Sequence, residues 1–106
     1  MIKKYEFWWA HVKYEDCDNI ETRPVLVIGN AAYVMALKAT KSDRGNEGTE
    51  LRLYYWKEAG LKVETSIRLS KVLKLHESDM VERIGAMDDR DRLRLEMRLA
   101  ANVQSR

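Results

Sequence analysis

Residues 5 to 14 read YEFWWAHVKY, aromatic and β-branched side chains spaced by two. The alternation predicts a strand with Trp8, Ala10, Val12 and Tyr14 on one face and Phe7, Trp9, His11 and Lys13 on the other. Acidic and polar residues follow in EDCDNIET, 15 to 22, predicted as a loop. The apolar run PVLVIG comes next, with Pro24 tolerated because a strand's first residues need not donate to a ladder. Gly29-Asn30 predicts a tight turn into AYVMALKAT, so that residues 24 to 39 form a hairpin. KSDRGNEGTE, 41 to 50, is predicted as one long exposed loop. Beyond it ELRLYYW alternates again, WKEAGL reads as a short helical turn ended by Gly60, TSIRLSKVLKL supplies one or two strands, and MVERIGA adds a last short one.

The tail DDRDRLRLEMRLAANV is ambiguous by pattern, since Leu93, Leu95, Met97 and Leu99 alternate with charged residues as a strand would. Composition decides for a helix: Leu, Arg, Glu, Met and Ala are strong helix formers, and Asp88 can cap with acidic residues following in the first turn. On the helical wheel Leu93, Met97, Ala100 and Ala101 form one stripe, and Leu95, Leu99 and Val103 a second. One stripe can serve the core and the other a partner subunit.

The 106 residues suit a single domain over 1–106, and 45% hydrophobic with 34% charged residues is the profile of a globular chain. No apolar segment approaches about 18 residues, so no membrane span is expected. The early apolar stretch is short, contains Glu6 and His11 and lacks a small-residue cleavage site, which is not the design of a secretory signal. The single cysteine, Cys17, excludes an internal disulfide, and a reducing compartment, the cytoplasm, is expected. A net charge of +2 is compatible with a polyanionic partner but too small to argue for one.

His11 and His76 have no ligand spacing around them, so neither a metal site nor a cofactor is expected. Nucleotide-binding and hydrolase motifs are missing from the sequence. A Cys17/His11 nucleophile pair lacks a placed third group, and a loop thiol is the simpler reading. The remaining candidates are Arg23 at the start of the second strand and Thr40-Lys41-Ser42 at the end of the third. If these strands form a hairpin, counting outward brings Arg23 and the Thr40 region to the same open end. A guanidinium, an ammonium and hydroxyls converging there make a phosphate-binding set. Alternatively, Arg23 pairs with Asp16, Asp18 or Glu21 and Thr40 merely begins a turn; spacing leaves both readings open. Lys38, Lys41 and Arg44 could track a nucleic-acid backbone or be solvated surface charge. Arg68 is a minor addition. Trp8 and Trp9 invite a base-stacking reading: only one can face the core in a strand, and Trp9 with His11 could line a surface groove, but a small barrel packs both faces of bent strands and a core role is expected.

The combination WWAHVKYEDCDNIETRPVLVIGN, LKATKSD, YYWKEAGLKVETSIRLSKVLKL and VERIGAMDDRD resembles the MazF/PemK family of toxins from toxin-antitoxin modules, from about Glu6 to the end of the helix. The most specific marks are RPVLVI, the threonine closing the next strand, and W-x-E-A-G-L-K with S-x-I-R-L behind it. The resemblance implies a mainly β (α+β) fold: a small SH3-like bent antiparallel barrel of the PemK/CcdB type with a C-terminal helix. It also implies a homodimer, an antitoxin partner, and metal-independent endoribonuclease activity on single-stranded RNA such as mRNA. Residue by residue, the family's catalytic arginine falls on Arg23 and its threonine on Thr40. Ser42 matches a polar position after the threonine, and Lys41, Arg44 and Lys38 are the RNA-binding candidates. Asp18 and Glu21 both compete for the acidic position before the arginine. Many members begin the first strand with Gly-Asp, where this chain has Tyr5-Glu6, a departure expected to matter little for chemistry. The rival reading is a non-catalytic or CcdB-like protein-binding module of the same fold.

Overall fold

Seven strands precede one helix in the computed structural model, which describes residues 1–13, 19–41 and 49–104. In chain order they are β1 (Glu6–Lys13), β2 (Ile20–Asn30), β3 (Val34–Lys41), β4 (Glu50–Arg52), β5 (Thr65–Arg68), β6 (Leu73–Leu75), β7 (Met80–Ala86) and α1 (Asp89–Gln104). The order across the sheet is β4-β5-β3-β2-β1-β7, with β6 added on β3, and the pairings are antiparallel. The expected barrel is therefore an open sheet whose ends are β4 and β7, with the helix where composition placed it.

Both faces of the central strands are covered, which explains why Val25, Leu26 and Val27 are consecutively buried instead of alternating. Phe7, Leu26, Leu37, Ile67 and Met87 form one cluster with Leu95 of α1; Ala10, Val12, Val25, Val27, Val34 and Ala36 form the other, with Trp8 packed against it. Of the two helical stripes, the one containing Leu95 and Leu99 meets the core, while Leu93 (59%) and Met97 (63%) are exposed.

Three local expectations are corrected. Ile20–Thr22 are not loop but the start of β2, because Lys13↔Ile20, Val12↔Glu21 and His11↔Thr22 extend the ladder with β1. Gly29-Asn30 is not the turn: both pair with β3, as Gly29↔Met35 and Asn30↔Val34, beyond a register shift that leaves Ile28 bulged. The chain reverses at residues 31–33. The alternating ELRLYYW contributes only the three residues of β4, after which the chain turns away.

Tyr5 holds φ at 71°, the left-handed region in which a side chain is strained. Tyr5 is fixed by backbone bonds to Val27 and Met87. Its neighbour Glu6 is buried, and its carboxylate accepts from the Lys3 N–H (2.8 Å), Trp8 Nε1 (3.1 Å) and Arg83 Nε (2.6 Å). Burial opposes the charge, but these donors outweigh it and hold the Glu6 carboxyl below its ordinary range.

The 56–60 segment forms the predicted helical turn and ends at Gly60, whose φ is 92°. It lies directly on β7: a Cβ on Gly85 would stand 2.0 Å from the Ala59 carbonyl oxygen, and one on Gly60 2.8 Å from that of Ile84. Backbone meets backbone at both points, so no side-chain rotation relieves the clash. Gly85→Ala is expected to lower stability by about 2 kcal/mol, read as a reduced midpoint of urea unfolding.

Candidate functional site

The ladders set one row of side chains across three strands. Trp9 pairs with Pro24 on β2 and with Glu82 on β7, so all three project from the same face. One step past the last β2–β3 pair, Val25↔Lys38, Pro24 stands opposite Ala39. These four residues line a groove of ≈ 520 Å³. Its far wall is the loop docked on β7, through Gly60, Leu61, Lys62 and Val63, with Thr65 and Ile84 beside it; Thr40 and Lys41 line the end where β3 leaves β2. Trp9 is 40% exposed. The expectation of a core role is thus corrected for Trp9 and holds for Trp8. Alternation on β1 turns Trp8 to the second cluster, while Trp9 on the opposite face lies beyond the reach of the first.

Arg23 is two residues beyond Val25 on β2, and Thr40 two beyond Lys38 on β3. They therefore emerge on the same face at the same end, where the β2–β3 ladder has stopped. Thr40 is held on its other side by pairing with Ser66 of β5. Arg23 is exposed and does not line the groove; strand alternation sends its side chain to the face opposite that of its groove-lining neighbour Pro24, while Thr40, at the facing position of β3, does line the groove. Arg23 Nε donates to Glu21 Oε2 at 2.9 Å and Nη2 lies 2.7 Å from the same oxygen. Glu21 is thus one acidic residue that engages the arginine; Asp18 lies outside the described residues. Arginine and glutamate are both about half exposed, so the pair orients the guanidinium without locking it.

Of the remaining candidates, Lys38 shares the Arg23 and Thr40 face and is half-buried, and Lys41 lines the groove. Ser42, Arg44, Asp16 and Cys17 fall outside the described residues. Arg68 pairs across the ladder with Glu50 and does not line the groove. Sequence reasoning missed Glu82, Lys62 and Val63. Lys62 was within reach, since it follows the W-x-E-A-G-L segment, but Glu82 enters only through a register containing two bulges on β1–β7. Arg83 borders the groove with its Nε committed to Glu6. Among the described residues, the side chains of Lys41, Lys62 and Glu82 make no hydrogen bond or ion pair, which leaves two ammonium groups and one carboxylate available to a ligand.

The family described as PemK-like, MazF-like toxin of type II toxin-antitoxin system matches residues 3–103. No curated protein matches the chain.

Proposed function

The chain belongs to the PemK-like, MazF-like toxins of type II toxin-antitoxin systems, and from that premise we propose that it is a metal-independent endoribonuclease. It cuts single-stranded RNA, mRNA included, and inhibits growth until a cognate antitoxin neutralises it. The observation that supports the reading is Arg23 on β2, just past the end of its ladder with β3, with Thr40 at the facing position of β3 and lining a groove that bears Lys41 and Lys62.

In this reaction the RNA's own 2′-hydroxyl attacks the adjacent phosphorus, and the products are a 2′,3′-cyclic phosphate and a 5′-hydroxyl. Negative charge grows on the non-bridging oxygens in the transition state. The Arg23 fork offers two parallel N–H donors to those oxygens, and the Thr40 hydroxyl donates a third bond. The exposed ion pair with Glu21 is worth about 0–1 kcal/mol, so a phosphate can take up the guanidinium at little cost. Lys38 and Lys41 attract the flanking backbone.

We read residues 1–106 as one toxin domain acting as a homodimer in the cytoplasm, where mRNA is available. The exposed Leu93 and Met97 of α1 offer an apolar stripe to a second subunit. An antitoxin with an acidic segment would cover the lysines and Arg23. Among the described residues no helix is long and apolar enough to cross a membrane.

The test incubates the protein with mixed single-stranded RNA in EDTA and maps the fragment ends. Cyclic-phosphate ends are expected. Intact RNA across varied sequences would move the assignment to the non-catalytic binding module. In the same assay Thr40→Val, which keeps the shape and removes the hydroxyl, is expected to slow cleavage on the order of 10- to 100-fold.

A further inference from the structure

We propose that the groove is a base-selecting pocket for guanine, in which Trp9 stacks on the base and Glu82 reads its edge. The inference rests on the RNA-cleavage reading and gives the site next to Arg23 a sequence preference. Pro24, Trp9 and Glu82 form a continuous row across β2, β1 and β7, so Trp9 stands between a proline and a carboxylate. Trp9 is 40% exposed and lines the groove, which makes it a platform for an unstacked base. The groove's ≈ 520 Å³ lies within the range of small-ligand sites, roughly 300–1,000 Å³.

Glu82 supplies the selectivity. A carboxylate only accepts hydrogen bonds, and among the described residues nothing occupies its two oxygens. Guanine presents two adjacent donors, N1–H and N2–H, spaced for a bidentate contact. Adenine and cytosine place an acceptor nitrogen beside their amino group, and uracil flanks its single N–H with two carbonyls. Each of these would set a lone pair against one carboxylate oxygen. Lys41 and Lys62, at the end and wall of the groove, lie where the phosphates of that nucleotide would run.

The experiment uses 2′-O-methyl pentanucleotides, which have no attacking hydroxyl and stay intact: UUGUU, UUAUU, UUCUU and UUUUU. Indole N–H resonances are followed by NMR, with that of Trp9 assigned through Trp9→Phe. The expected result is that UUGUU shifts the Trp9 indole and binds at least about tenfold more tightly than the other three. Glu82→Gln should remove this preference while the Trp9 shift persists, and Trp9→Leu should weaken all four by about tenfold or more. A Trp9 resonance that no oligonucleotide moves, or a guanine preference that survives Glu82→Gln, would overturn the proposal. RNA cleavage assayed in parallel separates the two readings. Arg23-dependent cleavage with a motionless Trp9 indole removes only the guanine pocket, whereas oligonucleotide binding without any cleavage removes the nuclease.

Discussion

Arg23→Ala is expected to reduce RNA cleavage by about 10³-fold in kcat/KM while leaving the melting temperature within about 2 °C of the parent. Two facts separate the functional effect from the structural one. The guanidinium is exposed, and its ion pair with Glu21 is a surface pair between half-exposed groups, so deleting it removes little folding free energy. The backbone of residue 23 stays fixed by its pairing with Ala10, and the buried Val25 and Leu26 anchor the strand behind it. In the proposed reaction the Arg23 fork is the cation on β2 facing Thr40 across the strands, so its loss leaves the phosphorane without its main counter-charge. Arg23→Lys keeps the charge but not the two parallel donors and should recover only a minor part of the rate. The check pairs cleavage kinetics on a labelled RNA with thermal melts of each variant. Full activity in Arg23→Ala would discard the assignment.

Asp91→Ala is expected to cost about 3–5 kcal/mol of stability, lowering the melting temperature by roughly 15 °C or more for a domain of this size. Asp91 is 1% exposed. Its carboxylate accepts from the backbone N–H of Tyr54 (3.1 Å) and of Tyr55 (2.8 Å), and from Arg94 Nη1 (2.8 Å). These bonds tie the first turn of α1 to the segment that follows β4. Alanine would leave two backbone donors without acceptors and take the counter-charge from Arg94, whose other hydrogen bond among the described residues is to the Arg52 carbonyl. The same junction carries Arg94 over the Tyr54 ring at 3.7 Å and Arg90 over Tyr55 at 3.5 Å. Asp91→Asn keeps one acceptor and a similar volume and should fall between the two. Thermal unfolding followed by circular dichroism checks the order; a melt of Asp91→Ala equal to the parent's would show that the junction does not hold the helix.

The helix illustrates what local chemistry settles. Its composition overrode an alternation that also suited a strand, and Asp88 caps it as anticipated, with Oδ1 2.9 Å from the Arg90 N–H. That carboxylate is held below its ordinary range chiefly by the Arg90 side chain, and also by the cap bond. β1 was legible from its spacing of two, and Gly60 from its place after a helical turn. The site was legible only in outline. Arg23 and Thr40 could be named because a charged residue before an apolar strand and a hydroxyl after one are visible without partners. Their facing positions could not be derived, since a two-residue turn at Gly29-Asn30 would have set Arg23 across from Ala36. The later reversal and the bulge at Ile28 move it to Thr40.

By itself the sequence determined that the chain would be strands followed by a C-terminal helix and that its apolar runs would be buried, whereas the start of β2 three residues before Arg23 was set by pairing with β1. The first two outcomes depend on periodicity, propensity and capping, all of which act within a few residues. Tertiary structure alone decided which side chains share the groove. Trp9, Pro24 and Glu82 lie far apart along the chain and meet only through the register of β2, β1 and β7. Register depends on bulges and on the packing of distant strands, and a one-residue slip would carry every one of those side chains to the opposite face.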